Sequence, residues 1–147
     1  MDSEKVSSLA NAAEKLRQQG DLQNAVKIYE RLLSAKPGDP QIIALYCDVL
    51  IEGRQAGAAL NCIEGTLNAE QIRNSPEVGT AKAKALLGLG RWPEALAGFN
   101  SVVKHHSEWA DGWNNLGCYL LELKRIDEAI PKLRKVLELD PTHCKAT

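Results

Sequence analysis

A five-residue segment that ends in alanine recurs four times along the chain. The four copies occupy residues 21–25, 55–59, 91–95 and 125–129. Their closing alanines are 34, 36 and 34 residues apart, and in every copy a small residue lies twelve positions upstream and a leucine nine positions upstream. This period constrains the fold more than any other feature, because a repeat of this length is one supersecondary unit that buries its apolar face against its neighbours.

Apolar and small residues in the last unit follow helical spacing twice, with a short polar break between the two runs. The first run is Trp113, Leu116, Gly117 and Leu120, and the second is Ala129, Ile130, Leu133, Val136 and Leu137. Gly117 and Ala129 are small enough to let two helices approach closely, while Leu120 and Leu133 are expected to fill the space towards the neighbouring unit. Each unit is therefore predicted to be a pair of antiparallel helices.

Glycine, proline and serine mark the predicted helix boundaries. Gly20 and Gly90 are expected to end first helices, and Ser75 with Pro76 is expected to begin one as cap and first helical residue. The second unit holds the two-residue insertion, and residues 65–75 are expected to be irregular. Pro131 falls about six residues into the last helix, where a local kink is expected to be tolerated.

The pattern resembles the tetratricopeptide repeat. The fourth unit is close to the consensus of that family: Trp-Asn-Asn-Leu-Gly at 113–117, Ala129 and Pro141. The resemblance spans residues about 6–141 and implies an all-α solenoid of four tandem helix-turn-helix repeats in a right-handed superhelical arc. It implies a single domain over residues 1–147, with repeats at approximately 6–39, 40–75, 76–109 and 110–143.

Composition and charge argue against several classes of partner. Eighteen Lys and Arg against nineteen Asp and Glu leave a net charge of −1, so no strong field attracts nucleic acid. The longest apolar stretch, residues 42–51, is too short to cross a bilayer and contains Asp48. No signal-peptide pattern opens the chain, so we expect no membrane insertion, a cytoplasmic location and free thiols at all four cysteines.

No catalytic or metal-binding constellation is recognisable. Phosphate-binding, dinucleotide-binding and zinc-protease motifs are missing from the sequence, so we expect a protein that is not an enzyme and has no cofactor. His105 and His106 are adjacent and would point apart on a helix, so they are not expected to bind a metal. The three tryptophans lack interleaved basic residues, so packing is preferred to base stacking.

The resemblance also implies where a partner binds. In this family a protein or peptide ligand occupies the concave surface, which is lined by the first helix of each unit. The partner-binding residues expected on that surface are Asn11, Glu14, Asp48, Lys84, Asn114, Asn115 and Cys118. The family's cluster of basic residues for the carboxylate tails of chaperones is not matched, because Ala10, Glu77 and Ala81 stand at those positions.

Three functional interpretations stay open at this point. The chain is an adaptor that binds a peptide or protein partner, the accessory N-terminal domain of a larger glycosyltransferase-like enzyme, or a self-assembling scaffold. Ile130, Leu133 and Leu137 on the last helix are expected to lack a cover from the chain itself. They therefore predict either that the natural protein is longer or that the chain forms homo-oligomers through this helix.

Overall fold

The computed structural model of the chain describes residues 3–140. Over that range the backbone forms nine α-helices and no strand. The helices are α1 (Ser3–Gln18), α2 (Leu22–Ala35), α3 (Pro40–Glu52), α4 (Ala56–Thr66), α5 (Ala69–Asn74), α6 (Pro76–Gly88), α7 (Trp92–His105), α8 (Ala110–Glu122) and α9 (Ile126–Leu139).

Four helix pairs form the units that the period predicts: α1 with α2, α3 with α4, α6 with α7, and α8 with α9. Each unit also packs on the next, through α2 on α3, α4 on α6 and α7 on α8. Two buried clusters result, one around Tyr29 and Leu32 in the first two units and one that extends from Ile43 to Ala129. Val26, Leu33 and Tyr46 pack against both clusters, so the core runs along the solenoid. The predicted all-α solenoid is confirmed.

Of the glycines within residues 3–140, Gly117 in the fourth unit leaves the least room for a side chain. A Cβ atom added to Gly117 of α8 would lie 2.7 Å from Leu133 Cδ2 of α9, which is closer than real Cβ contacts. The predicted need for a small residue at this position is thus confirmed. Leu133 fills the space over Gly117 in its own unit and is half-buried there. Leu133 therefore packs within its own unit and is partly covered there, and its role in self-association stays a prediction.

The sequence predicted that residues 65–75 are irregular. This prediction is wrong, because Ala69–Asn74 forms the short helix α5. A capping box starts it: the N–H of Gln71 donates to Asn68 Oδ1 at 2.8 Å, and the N–H of Asn68 donates to Gln71 Oε1 at 3.0 Å. Ser75 ends α5 and also caps α6, where its Oγ accepts from the N–H of Val78 at 3.4 Å. The predicted restart at Ser75 is confirmed.

The turn inside each unit contains one residue with positive φ. Gly20 and Gly90 have φ values of 84° and 78°, which confirms the predicted ends of α1 and α6. Arg54 and Lys124 occupy the equivalent turns of units two and four with φ values of 63° and 62°. Sequence alone did not indicate these two residues. Pro131 lies inside α9, which continues without a break from Ile126 to Leu139.

Several large apolar side chains are exposed in the part of the chain that is described. Ile130 and Leu137 on α9 are 42% and 46% exposed, as expected for an uncovered face. Trp92, at the start of α7, is 49% exposed, so the expectation that packing accounts for all three tryptophans is wrong for this residue. None of the helices within residues 3–140 combines the length and apolar character needed to cross a bilayer.

Candidate functional site: a groove across three first helices

A groove of about 260 Å³ crosses the first helices of units two, three and four. We call it the first-helix groove; its lining residues are Asp48 of α3, Glu77, Thr80 and Lys84 of α6, Trp109, and Asp111, Asn114 and Asn115 of α8. Residues that lie one repeat apart in the sequence become neighbours here, because first helices stack side by side. Four predicted partner-binding residues, Asp48, Lys84, Asn114 and Asn115, are therefore brought together.

Asp48 is the half-buried carboxylate of the groove. Burial raises its pKa, because loss of solvent penalises the ionised form. The cations of Lys84 and Arg17 act in the opposite direction, while the carboxylates of Glu52 and Glu14 raise the pKa further. The pKa is raised overall, so the nearby cations compensate the negative charge of Asp48 only in part.

Arg17 of α1 extends the site towards the N-terminal unit. Its Nε lies 3.0 Å from Glu52 Oε1 on α3, and its Nη1 lies 3.4 Å from Glu14 Oε2 on its own helix. This arrangement places the predicted residue Glu14 in an ion-pair network beside Asp48. Burial, followed by the Glu14 carboxylate, also raises the pKa of Tyr29 beneath the network to about 12.

Thr80 is the buried polar residue of the groove, with 5% of its surface exposed. Its Oγ1 has no hydrogen-bond partner within residues 3–140. Buried hydroxyls in folded proteins are usually hydrogen-bonded, because leaving one unpaired costs about 1–3 kcal/mol. The hydroxyl of Thr80 is therefore an uncompensated polar group beside the groove.

The remaining predicted residues lie outside the groove lining. Cys118 is exposed one turn beyond Asn114, and its thiol donates to Asn114 Oδ1 at 3.9 Å. Asn11 is exposed on α1 and does not line the groove. A binding role for Asn11 and Cys118 stays a prediction.

Four further residues line the groove: Glu77, Thr80, Trp109 and Asp111. All but Trp109 stand at first-helix positions that the family resemblance places on the concave surface, although they were not singled out as partner-binding residues. The repeat register was a usable signal for three of them, since Thr80 occupies the position of Asn114 and Glu77 that of Asp111, one unit away. Trp109 precedes α8 as its N-cap residue and has no periodic signal. Its place in the groove depends on how the α7–α8 connection folds.

The histidines and thiols have separate surroundings. His105 Nδ1 lies 2.9 Å from the Ser101 carbonyl oxygen, and His106 Nε2 lies 2.8 Å from that of Arg73. Within residues 3–140 no group of three or more His, Cys, Asp or Glu side chains is placed to hold a metal ion. Cys47 is buried, and its thiol donates to the Ala59 carbonyl oxygen at 3.5 Å. Burial raises the pKa of this thiol, and Cys144 lies outside the described residues.

Comparison with known families identifies the repeat. Two family models, both described as tetratricopeptide repeat, match residues 16–84 and 80–143. Together they span most of the chain, including all four closing alanines. The chain belongs to the tetratricopeptide repeat family.

One curated relative has this repeat in its name. Tetratricopeptide repeat protein 21A of Homo sapiens is 30% identical over 90 residues, which are 60% of this chain and 7% of that protein. The chain thus corresponds to a small part of that relative.

Among solved structures, the thermophilic TPR protein TTC0263 from Thermus thermophilus has a TM-score of 0.78 at 19% identity, over 92% of this chain and 75% of that chain. MamA from Desulfovibrio magneticus RS-1 has a TM-score of 0.67 at 20% identity, over 94% and 77%. YrrB, described as a TPR protein with an unusual peptide-binding site, has a TM-score of 0.64 at 22% identity, over 97% and 73%. At these identities the likeness concerns the fold.

Proposed function

We propose that this chain is a protein-interaction scaffold that binds an extended peptide segment of its partner in the first-helix groove. The observation that carries the proposal is the convergence of polar side chains from three consecutive units on one groove. Stacked helix pairs expose an extended surface of this kind, and a peptide that crosses several units contacts each of them in turn.

The two asparagines of α8 are suited to a peptide backbone. Asn114 and Asn115 are half-buried and line the groove. A side-chain amide offers two donors and a carbonyl acceptor, which match the C=O and N–H groups of an extended chain. Such contacts hold the backbone of a ligand while neighbouring groups select its side chains.

The proposal is tested by selection from a random peptide display library on the 147-residue chain. Affinities of the selected peptides are measured by fluorescence anisotropy for the wild type, Asn114→Ala and Asn115→Ala. Each asparagine variant should weaken binding by about tenfold, the equivalent of about 1.4 kcal/mol. Lys27→Glu on α2, an exposed residue outside the groove lining, is the matched control and should leave affinity unchanged. Selected peptides that ignore both asparagines but lose affinity in Lys27→Glu would contradict the proposal.

We propose a second function, self-association through α9, on a separate observation. Ile126, Ile130 and Leu137 are exposed on this helix. Within residues 3–140, Glu128 pairs with Arg125 and Lys135 with Glu138, whereas Asp127 and Arg134 form no salt bridge. Antiparallel contact of two α9 helices would place the acidic start of one against the basic second half of the other. Sedimentation velocity should then show a dimeric mass for the wild type and a lower mass for Ile130→Lys. A wild type that sediments as a monomer would exclude the contact.

A further inference from the structure

The first-helix groove has an acidic lining that suits one kind of ligand side chain. Three carboxylates, from Asp48, Glu77 and Asp111, line it together with one ammonium group, from Lys84. We infer that the groove binds a cationic side chain, arginine or lysine, of the peptide that it takes up. The inference rests on the proposed peptide-binding function and adds the class of ligand.

The first step of the argument is the position of Asp48. It lies half-buried on α3, where the cations nearest to it, Lys84 and Arg17, do not outweigh the loss of solvent. Glu14 and Glu52 engage Arg17 at 3.4 and 3.0 Å, so that guanidinium is shared among several carboxylates. A cation from a ligand would supply the positive countercharge that the Asp48 carboxylate lacks. Because the carboxylate is half-buried, water would screen this attraction less than at an open surface.

A second and independent observation is the unpaired hydroxyl of Thr80. Its Oγ1 is buried and has no partner within the described part of the chain, although valine would fill the same space without this cost. Thr80 lies between Glu77 and Lys84 on one face of α6 and lines the groove, so a buried hydroxyl without a partner lies beside the site where a guanidinium or ammonium group would bind.

A contact between units one and two shows how first helices bind a guanidinium group. Arg17 reaches Glu52 on α3 from α1, so a carboxylate of one first helix accepts a guanidinium that comes from another. Trp109 adds an indole ring to the lining, and aromatic faces attract cations. An anionic side chain would instead face three carboxylates and is disfavoured.

Synthetic peptide libraries that differ only in one fixed residue, arginine, citrulline or glutamate, test the inference. Citrulline keeps the shape of arginine and removes its charge. Arginine peptides should bind the 147-residue chain about tenfold more tightly than their citrulline counterparts. Asp48→Asn should remove most of that difference while leaving citrulline peptides nearly unaffected, and Thr80→Val should reduce it in part.

Controls separate this inference from the proposed function. Glu94→Gln removes an exposed carboxylate of α7 outside the groove and should change no affinity, and circular dichroism verifies that each variant is folded. Citrulline or glutamate peptides that bind as tightly as arginine peptides, and still require Asn115, overturn the cationic ligand but not the peptide groove. A preference for arginine that Asp48→Asn leaves intact also overturns it. Failure of all libraries to yield Asn115-dependent binders overturns both.

Discussion

The turns of units one and three differ from those of units two and four in their residues but not in their geometry. Gly20 and Gly90 hold positive φ values in the first set, and Arg54 and Lys124 do so in the second. In all four turns the N–H that follows this residue donates to the carbonyl oxygen of the repeated leucine, at 2.7–2.9 Å. The turn has the same hydrogen bond even where a residue other than glycine occupies the positive-φ position. We infer that the packing of the two helices determines the geometry of the turn between them.

The two sets of turns therefore differ in energy. A residue with a Cβ atom in the left-handed region costs about 1–2 kcal/mol, whereas glycine adopts it freely. Units two and four bear this cost, and unit two bears the half-buried charge of Asp48 as well. Tight packing elsewhere in the protein has to offset these costs. The predictions below measure the stabilisation from packing and the cost of the turns separately.

The largest effect is expected at the glycine that leaves the least room for a side chain. Gly117→Leu should destabilise the protein by about 3 kcal/mol, because even a Cβ atom there would overlap Leu133. The free energy of unfolding from denaturant titration measures the loss. Gly65→Ala on α4, where nothing lies within 4 Å, is the matched control and should stabilise by about 0.5–1 kcal/mol. Similar losses in both variants would show that glycine at 117 is not required by packing.

Moving a residue of one set of turns into the other should have the next largest effect. Gly90→Lys introduces into unit three the residue type of unit four and should destabilise by about 1 kcal/mol, since the backbone keeps its positive φ. Thermal and denaturant unfolding both report the change. If Gly90→Lys were neutral, the left-handed turn would not be a cost in this fold.

The reverse exchange should stabilise the protein by less. Lys124→Gly relieves the strained turn by about 1 kcal/mol, but glycine also increases the entropy of the unfolded chain, so the net gain should be about 0.5 kcal/mol. Lys124→Ala retains the strain and should change the free energy of unfolding by at most about 0.5 kcal/mol. A loss of stability in Lys124→Gly would show that the lysine side chain itself stabilises the turn.

The smallest effect is expected from Asp48→Asn, and it depends on pH. The pKa of Asp48 is raised in the folded protein, so the folded state takes up a proton more readily than the unfolded state. This contribution is present below the ordinary aspartate pKa and is lost as pH rises through the raised value. Asp48→Asn should thus be slightly more stable than the wild type at neutral pH and equal to it in acid, by unfolding measured across that range. A variant that is less stable at neutral pH would contradict this assignment.

The sequence predicted those features that repeat and missed those that depend on contacts outside the period. Asp48, Lys84, Asn114 and Asn115 were predictable because a regular period places equivalent first-helix positions side by side. Helix α5 was missed because residues 65–75 lack apolar periodicity, although the Asn68 capping box was a local signal. Positive φ values at Arg54 and Lys124 were not predictable, because neither residue favours that conformation by itself.

Ser75 is the single residue between α5 and α6 and serves both as the C-cap of the first and as the N-cap of the second. Its N–H donates to the Ile72 carbonyl oxygen at the end of α5, while its Oγ accepts from Val78 at the start of α6. His106, the residue after α7, lies with its Nε2 2.8 Å from the carbonyl oxygen of Arg73 in α5. A molecule that pushed on α5 from outside the solenoid would move α6 directly, and Thr80 and Lys84 would move with it. The position of the inserted helix and that of two groove residues are thus linked through a single residue, Ser75.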